Sequence, residues 1–173
     1  MTKIISLVIG VLIVGALGSW LLLRDRGAEI LPQQELRRAP EFALKDYNGQ
    51  EIKLSDFRGK AVVVNSWAVW CPFCKEELKD FAAIRKEFGD KAAIIAVDRA
   101  EPRDTAKKFS DELGVSDDLI FLLDPDDTFY QSIGGFSMPE TVFVDRDGLI
   151  RFHKRGSMPA EEIRRRIEDL LGT

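Results

Sequence analysis

The stretch Val62-Val63-Val64-Asn65-Ser66-Trp67-Ala68-Val69-Trp70-Cys71-Pro72-Phe73-Cys74 runs from a β-branched apolar segment straight into the only two cysteines of the chain, held three residues apart. Such a run predicts a buried strand, and the proline just after Cys71 suits a helix start, so the two sulfurs fall where a strand hands over to a helix. A sulfur at a helix start lies beside backbone N–H groups without intrahelical partners, whose partial positive charge favours thiolate over thiol. Cys71 is therefore the candidate nucleophile. Cys74, about one turn further on, is placed to attack a mixed disulfide at Cys71, which makes it the candidate resolving thiol. A structural zinc site takes about four ligands, and beyond this pair the chain offers only His153, in an expected edge strand. A purely structural disulfide is also a poor reading, because stabilisation by loop closure grows with loop length and this loop is minimal. The residues favour a redox-active disulfide, Cys71–Cys74, with no metal and no cofactor beyond the two sulfurs.

The chain of 173 residues, 45% hydrophobic and 31% charged, suits one globular domain with an appendage. The appendage is visible at residues 4–23, IISLVIGVLIVGALGSWLLL, an uncharged segment long enough to span a hydrocarbon core as a helix, with Trp20 suited to the interface. Residues 1–23 are read as a membrane anchor. The competing reading is a cleaved signal peptide, since Ala16 and Gly18 offer a small-x-small site before Ser19. Apolar residues continue through Leu23, which favours the anchor. Lys3 stands before the segment and Arg24, Arg26, Arg37 and Arg38 follow it; a literal count of positive charges would keep the C-terminal part inside. Long C-terminal domains translocate largely regardless of nearby charge, and a dithiol is most useful where disulfides persist. The expectation is a single-pass protein of the cytoplasmic (inner) membrane with its domain on the periplasmic, extracytoplasmic side. Residues 24–38 read as a linker and residues 39–173 as the domain.

Within the domain, Phe42 and Leu44 alternate with polar neighbours, Asp46-Tyr47-Asn48-Gly49 supplies turn chemistry, and Ile52 and Leu54 alternate again, predicting a β-hairpin. The central strand is expected over 61–66. The helix opened by the cysteines is expected over 72–88, with Leu78, Phe81, Ile84 and Phe88 on one face and Gly89 as its stop. A strand at 92–97, a helix at 103–113 closed by Gly114 and a strand at 119–123 continue an alternation typical of a parallel α/β core. A short helical turn at 127–133 leads to a second hairpin, 141–144 and 149–154, around Asp145-Arg146-Asp147-Gly148. A last helix after Ser157 carries Ile163, Ile167, Leu170 and Leu171 as its apolar stripe. With a net charge of -4 and no Gly-rich phosphate loop, nothing indicates nucleotide or nucleic-acid binding.

Taken together the motifs resemble the thioredoxin-fold proteins, specifically the membrane-anchored, exported thiol-disulfide oxidoreductases of the TlpA, ResA and CcmG type. The resemblance rests on Ala39-Pro40-Glu41-Phe42-Ala43-Leu44, Asn48-Gly49, Leu54-Ser55-Asp56, Arg58-Gly59-Lys60, Val64 through Cys74, and Met138-Pro139-Glu140-Thr141-Val142-Phe143-Val144-Asp145. It implies a central mixed β-sheet flanked by helices, with an added N-terminal hairpin. It implies that Pro139 is the cis-proline beside the disulfide and that the backbone of Met138 pairs with an extended substrate segment. Trp70, Phe73, Met138, Pro139 and Glu140 form the implied substrate-binding set. Many thioredoxins carry a buried Asp six residues before the first cysteine, where this chain has Asn65, which cannot relay a proton. Relatives of the ResA kind often use a Glu three residues after the second cysteine, and Glu77 stands there, the candidate proton-transfer residue, its alternative role being to complement the helix start. Lys79 replaces the usual helix-kinking proline, so a straighter helix is expected.

Pro139-Glu140-Thr141 resembles the cytochrome c maturation branch. That implies a protein disulfide substrate such as apocytochrome c haem-attachment cysteines, and a membrane protein as electron donor; the chain itself is taken to be a monomer. The leading reading is an enzyme, an exported protein-disulfide reductase. Two alternatives stand beside it: a thiol-based metallochaperone or haem-pathway docking module using the sulfurs as soft ligands for copper(I), and a general disulfide oxidase or isomerase.

Overall fold

The apolar run that leads into the cysteines lies inside a seven-stranded sheet in the computed structural model, which describes residues 37–172. In chain order the elements are β1 (Ala43–Asp46), β2 (Glu51–Lys53), β3 (Ala61–Trp67), α1 (Cys74–Phe88), β4 (Ala92–Arg99), α2 (Arg103–Leu113), β5 (Ile120–Asp124), α3 (Thr128–Ser132), β6 (Glu140–Val144), β7 (Ile150–Arg155) and α4 (Ala160–Leu171). The sheet order is β2-β1-β5-β4-β3-β6-β7. The expected anchor at residues 1–23, and the expected linker up to residue 36, lie outside the described residues. Among the described residues no helix is long and apolar enough to cross a membrane.

β3 is buried at every position and pairs parallel with β4 on one side and antiparallel with β6 on the other, so a continuous apolar run is what its two covered faces require. The pleat sends Val63 and Trp67 to one face, where Leu78, Phe81 and Ile84 of α1, Ala106 of α2 and Ile163 and Ile167 of α4 cover them. Val62 and Val64 point to the other face, against Phe42, Leu54, Phe129 and Ile133. The strand–helix alternation suggested a parallel core, and only β3, β4 and β5 are mutually parallel. The two hairpins add antiparallel pairs at either end, and β1 joins the sheet against β5.

The expected helix start at residue 72 is corrected by two residues. Pro72 and Phe73 form a turn in which the Cys74 N–H meets the Cys71 carbonyl at 3.3 Å, and regular helix begins at Cys74. α1 then runs unbroken to Phe88, where Gly89 takes φ +56°. Exposed Lys79, in the place of a kinking proline, pairs with Glu76 at 3.2 Å. Among the described residues backbone pairing is already present at Arg37, whose carbonyl accepts from Ile150 N–H at 2.8 Å. Tyr47, read from sequence as part of a turn, is buried and stacks on Phe121 with centroids 5.4 Å apart, while Asp46 alone caps the turn through the Asn48 and Gln50 amides.

Candidate active site

β3 ends on buried Trp67, and Ala68 turns the chain by accepting the Cys71 N–H at 3.1 Å. Cys71 and Cys74 form a disulfide, with 2% and 0% of their surfaces exposed. Cys71 Sγ accepts the Cys74 N–H at 3.2 Å. The sulfur of the candidate nucleophile thus faces the opening amide of α1, the contact that favours a thiolate. Trp70, just before Cys71, and Phe73, between the two cysteines, stand 62% and 63% exposed.

The Met138–Pro139 peptide bond is cis. Its position follows from register: Glu140, the first residue of β6, pairs with Ser66 near the end of β3, so the proline sits beside the strand that delivers Cys71. The Pro139 carbonyl accepts the Gly156 N–H at 2.9 Å. Among the described residues, no group bonds to the N–H or carbonyl of Met138, whose side chain packs against the core on the α1 face. An unpaired donor and acceptor on one residue just before β6 are what an incoming strand requires.

Glu77 lies one turn beyond Cys74 and is buried. Its Oε2 accepts from Asn65 Nδ2 and its Oε1 from the Met158 N–H, both at 2.9 Å. Burial pushes its carboxyl up to about 7, against the opposing pull of those two donors. Two of the three departures from the thioredoxin pattern, Asn65 and Glu77, are therefore one hydrogen-bonded arrangement. Asn65 Nδ2 also donates to Thr141 Oγ1 at 2.9 Å, while its Oδ1 is buried without a partner. Turning that amide offers Oδ1 to the O–H of a protonated Glu77, so the pocket can serve both charge states.

Glu140 needs correction. The resemblance places it in the substrate-binding set, yet its side chain is fully buried and faces inward. Its Oε2 accepts the N–H groups of Phe136 and Ser137 at 2.8 and 3.0 Å, and its Oε1 meets His153 Nε2 at 2.6 Å. Glu140 shapes the loop before Pro139 and is not presented to a partner. The imidazole of His153 is engaged there and is not free to join the sulfurs as a metal ligand.

Three residues escaped the sequence reading. Glu101 accepts the Val69 N–H at 2.7 Å, and its own N–H donates to buried Asp98 at 3.2 Å, so a pair of acids braces the turn before Cys71. Burial and then the neighbouring Glu101 push the Asp98 carboxyl upward. The available signal was Asp98-Arg99-Ala100-Glu101 closing an otherwise apolar strand. The third is Phe136, 85% exposed in the loop that Glu140 holds. Its neighbour Gly135 lies under the Tyr130 ring, where a Cβ would come 2.4 Å from Cε1. Gly135→Ala is expected to cost about 1–2 kcal/mol through overpacking, read as a lowered Tm; an unchanged Tm would mean that the ring moves freely.

A family model described as the AhpC/TSA family matches residues 36–153. The chain is 32% identical over 135 residues to thiol-disulfide oxidoreductase ResA of Geobacillus kaustophilus (strain HTA426), covering 76% of this chain and 75% of the relative. It is 30% identical over 162 residues to thioredoxin-like protein YneN of Bacillus subtilis (strain 168), covering 91% and 92%. Among solved structures, the exposed lipoprotein thioredoxin Etrx1 of Streptococcus pneumoniae strain TIGR4 superposes with a TM-score of 0.65 at 28% identity, over 76% of this chain and 100% of that one. A candidate thiol:disulfide interchange protein DsbE of Chlorobium tepidum gives a TM-score of 0.74 at 26% identity, over 79% and 97%. The architecture is the thioredoxin-like α/β fold.

Proposed function

Because this chain belongs to the AhpC/TSA family, we propose that it is a thiol-disulfide oxidoreductase that reduces protein disulfides by cycling Cys71 and Cys74 between dithiol and disulfide. The observation that carries this is the juxtaposition of the Cys71–Cys74 pair at the start of α1 with cis-Pro139, preceded by the unpaired backbone of Met138. An extended substrate segment pairs with Met138 and lays its disulfide over Cys71. The Cys71 thiolate attacks one substrate sulfur, expelling the other as a thiolate, and a mixed disulfide forms. Cys74, deprotonated as Glu77 or solvent takes its proton, then attacks Cys71 Sγ. The Cys71–Cys74 disulfide closes and the second substrate thiolate leaves. Two electrons have passed to the substrate, and a separate donor must return two.

The finer reading is a domain held outside the cytoplasm by the segment at residues 1–23, acting as a monomer, with a membrane protein as electron donor. Its substrates are disulfides such as those of apocytochrome c haem-attachment cysteines, a reading supported by Pro139-Glu140-Thr141. The direction of electron flow follows from what steadies the thiolate. Cys71 Sγ receives one N–H, the residues between the cysteines are uncharged, and the nearby buried acid, Glu77, opposes negative charge. A dithiol whose thiolate is little stabilised is a reductant, so the potential is expected near the thioredoxin end of the range, at about -270 mV. Equilibrating the full-length chain against glutathione and dithiothreitol buffers measures it. A value near about -120 mV would assign the chain as an oxidase instead.

A further inference from the structure

The large apolar side chains left exposed among the described residues are Trp70, Phe73 and Phe136, and nothing within the domain covers them. Trp70 and Phe73 flank Cys71 in sequence. Phe136 arrives from the other end of the chain, two residues before Met138, on the loop that the β3–β6 register sets beside the same strand end.

Its exposure is held in place. A free phenylalanine on a slack loop would fold back onto apolar surface, as the hydrophobic effect favours. Here the Phe136 and Ser137 amides are both fixed by Oε2 of the fully buried Glu140. That carboxylate is in turn held by His153 at 2.6 Å and by Arg155 at 3.5 Å. On the other side the Tyr130 hydroxyl donates to the Ser137 carbonyl at 2.9 Å, and Gly135 admits the Tyr130 ring where any side chain would collide. A buried anion fixed by two cationic or titratable side chains, spent on two loop amides, is a costly way to show an aromatic ring to water. Ordered aromatic side chains at the rim of a site are the groups that carry binding energy once a partner covers them.

We propose that Phe136 is a specificity-determining residue of this site, taking a large apolar side chain that neighbours the target cysteine on an extended polypeptide segment. The inference rests on the disulfide-reductase reading. It deepens that reading by naming the substrate class, which is disulfides flanked by an aromatic or large aliphatic residue. The occupant is an extended segment because Phe136 stands two residues before the unpaired backbone of Met138, which a strand would fill. Trp70 and Phe73 bound the same segment on the side of Cys71, while Phe136 lies beyond Met138 and reads a residue further along it.

The test uses the full-length chain in its dithiol form and three probes. They are a disulfide-bonded peptide with tryptophan beside one cysteine, the same peptide with serine there, and oxidised glutathione. The native chain is expected to prefer the tryptophan peptide. Phe136→Ala is expected to raise KM for it about tenfold more than for the serine peptide or oxidised glutathione. Phe136→Leu, which keeps apolar bulk, is expected to restore most of that difference. Equal losses on all three probes, or no loss on any, would overturn the inference while leaving the reductase reading intact. Concentration-dependent self-association of the native chain that Phe136→Ala abolishes would also overturn it, by giving the patch to a second copy. Failure of the native chain to reduce any probe would bring down the reductase reading itself, and this inference with it.

Discussion

Cys71→Ala is expected to abolish disulfide reduction, lowering the rate by at least about a thousandfold, because the residue supplies the only attacking sulfur in reach of substrate and nothing else in the site can form the covalent bond. Cys74→Ala is expected to behave differently. It keeps the nucleophile, so the first exchange proceeds; without a resolving thiol the complex stops at the mixed disulfide and accumulates one partner per chain. The asymmetry has a structural basis in the amide of Cys74, which donates to Cys71 Sγ at 3.2 Å and survives the replacement of its own side chain. Trapped species separated without reductant and sequenced by mass spectrometry give the answer. Complexes linked equally through Cys74 in Cys71→Ala and through Cys71 in Cys74→Ala would show that the two sulfurs are interchangeable and that the roles assigned here are wrong.

What the sequence disclosed and what it hid divide along a physical line. β3 was legible because a run of four apolar residues, three of them valine, satisfies two covered faces at once. The ends of α1 and α2 were legible because Gly89 and Gly114 adopt positive φ at the helix stops. The hairpin turns were legible because Asp46 and Asp145 each accept amides two and four residues on. All of these are local. The polar interior was hidden because its partners meet only through register. Asn65 finds Glu77 across 12 positions of sequence, and Glu77 finds the Met158 amide across 81. Glu140 looked like part of the binding set because it follows Pro139, yet alternation along β6 turns it inward, where His153 on β7 reaches it. Phe136 was passed over because an isolated aromatic between Gly135 and Ser137 has no periodicity to declare its face. Only the clamp on its backbone shows that its exposure is maintained.

The second large effect lies in pH. Glu77 has an ordinary carboxyl pKa near 4.5 when unfolded and is pushed up to about 7 when folded, chiefly by burial. Between those values the folded chain holds a proton that the unfolded chain has released, so stability falls as pH rises. The contribution is fully present below about 4.5, declines through the interval and levels off above about 7; at about 1.4 kcal/mol per unit it amounts to about 3 kcal/mol. Asp98, pushed upward by burial and by Glu101, slopes the same way and will remain in any variant of Glu77. Glu77→Gln keeps an acceptor for the Met158 amide and the volume of the side chain but cannot titrate. Urea unfolding of the oxidised chain at a series of pH values is therefore expected to show a steeper decline from pH 5 to pH 7 in the native sequence than in Glu77→Gln. The residual slope in the variant belongs to Asp98, and Asp98→Asn in the same background removes most of it. In the proposed mechanism the same protonation enters the chemistry, since a Glu77 that titrates near neutrality can take the Cys74 proton as the mixed disulfide resolves. The resolving rate in single turnover should then rise through an inflection near pH 7 that Glu77→Gln erases. Parallel pH profiles for the native chain and the variant, in both unfolding and single turnover, would show that Glu77 stays in one charge state across this range and only packs beneath the helix.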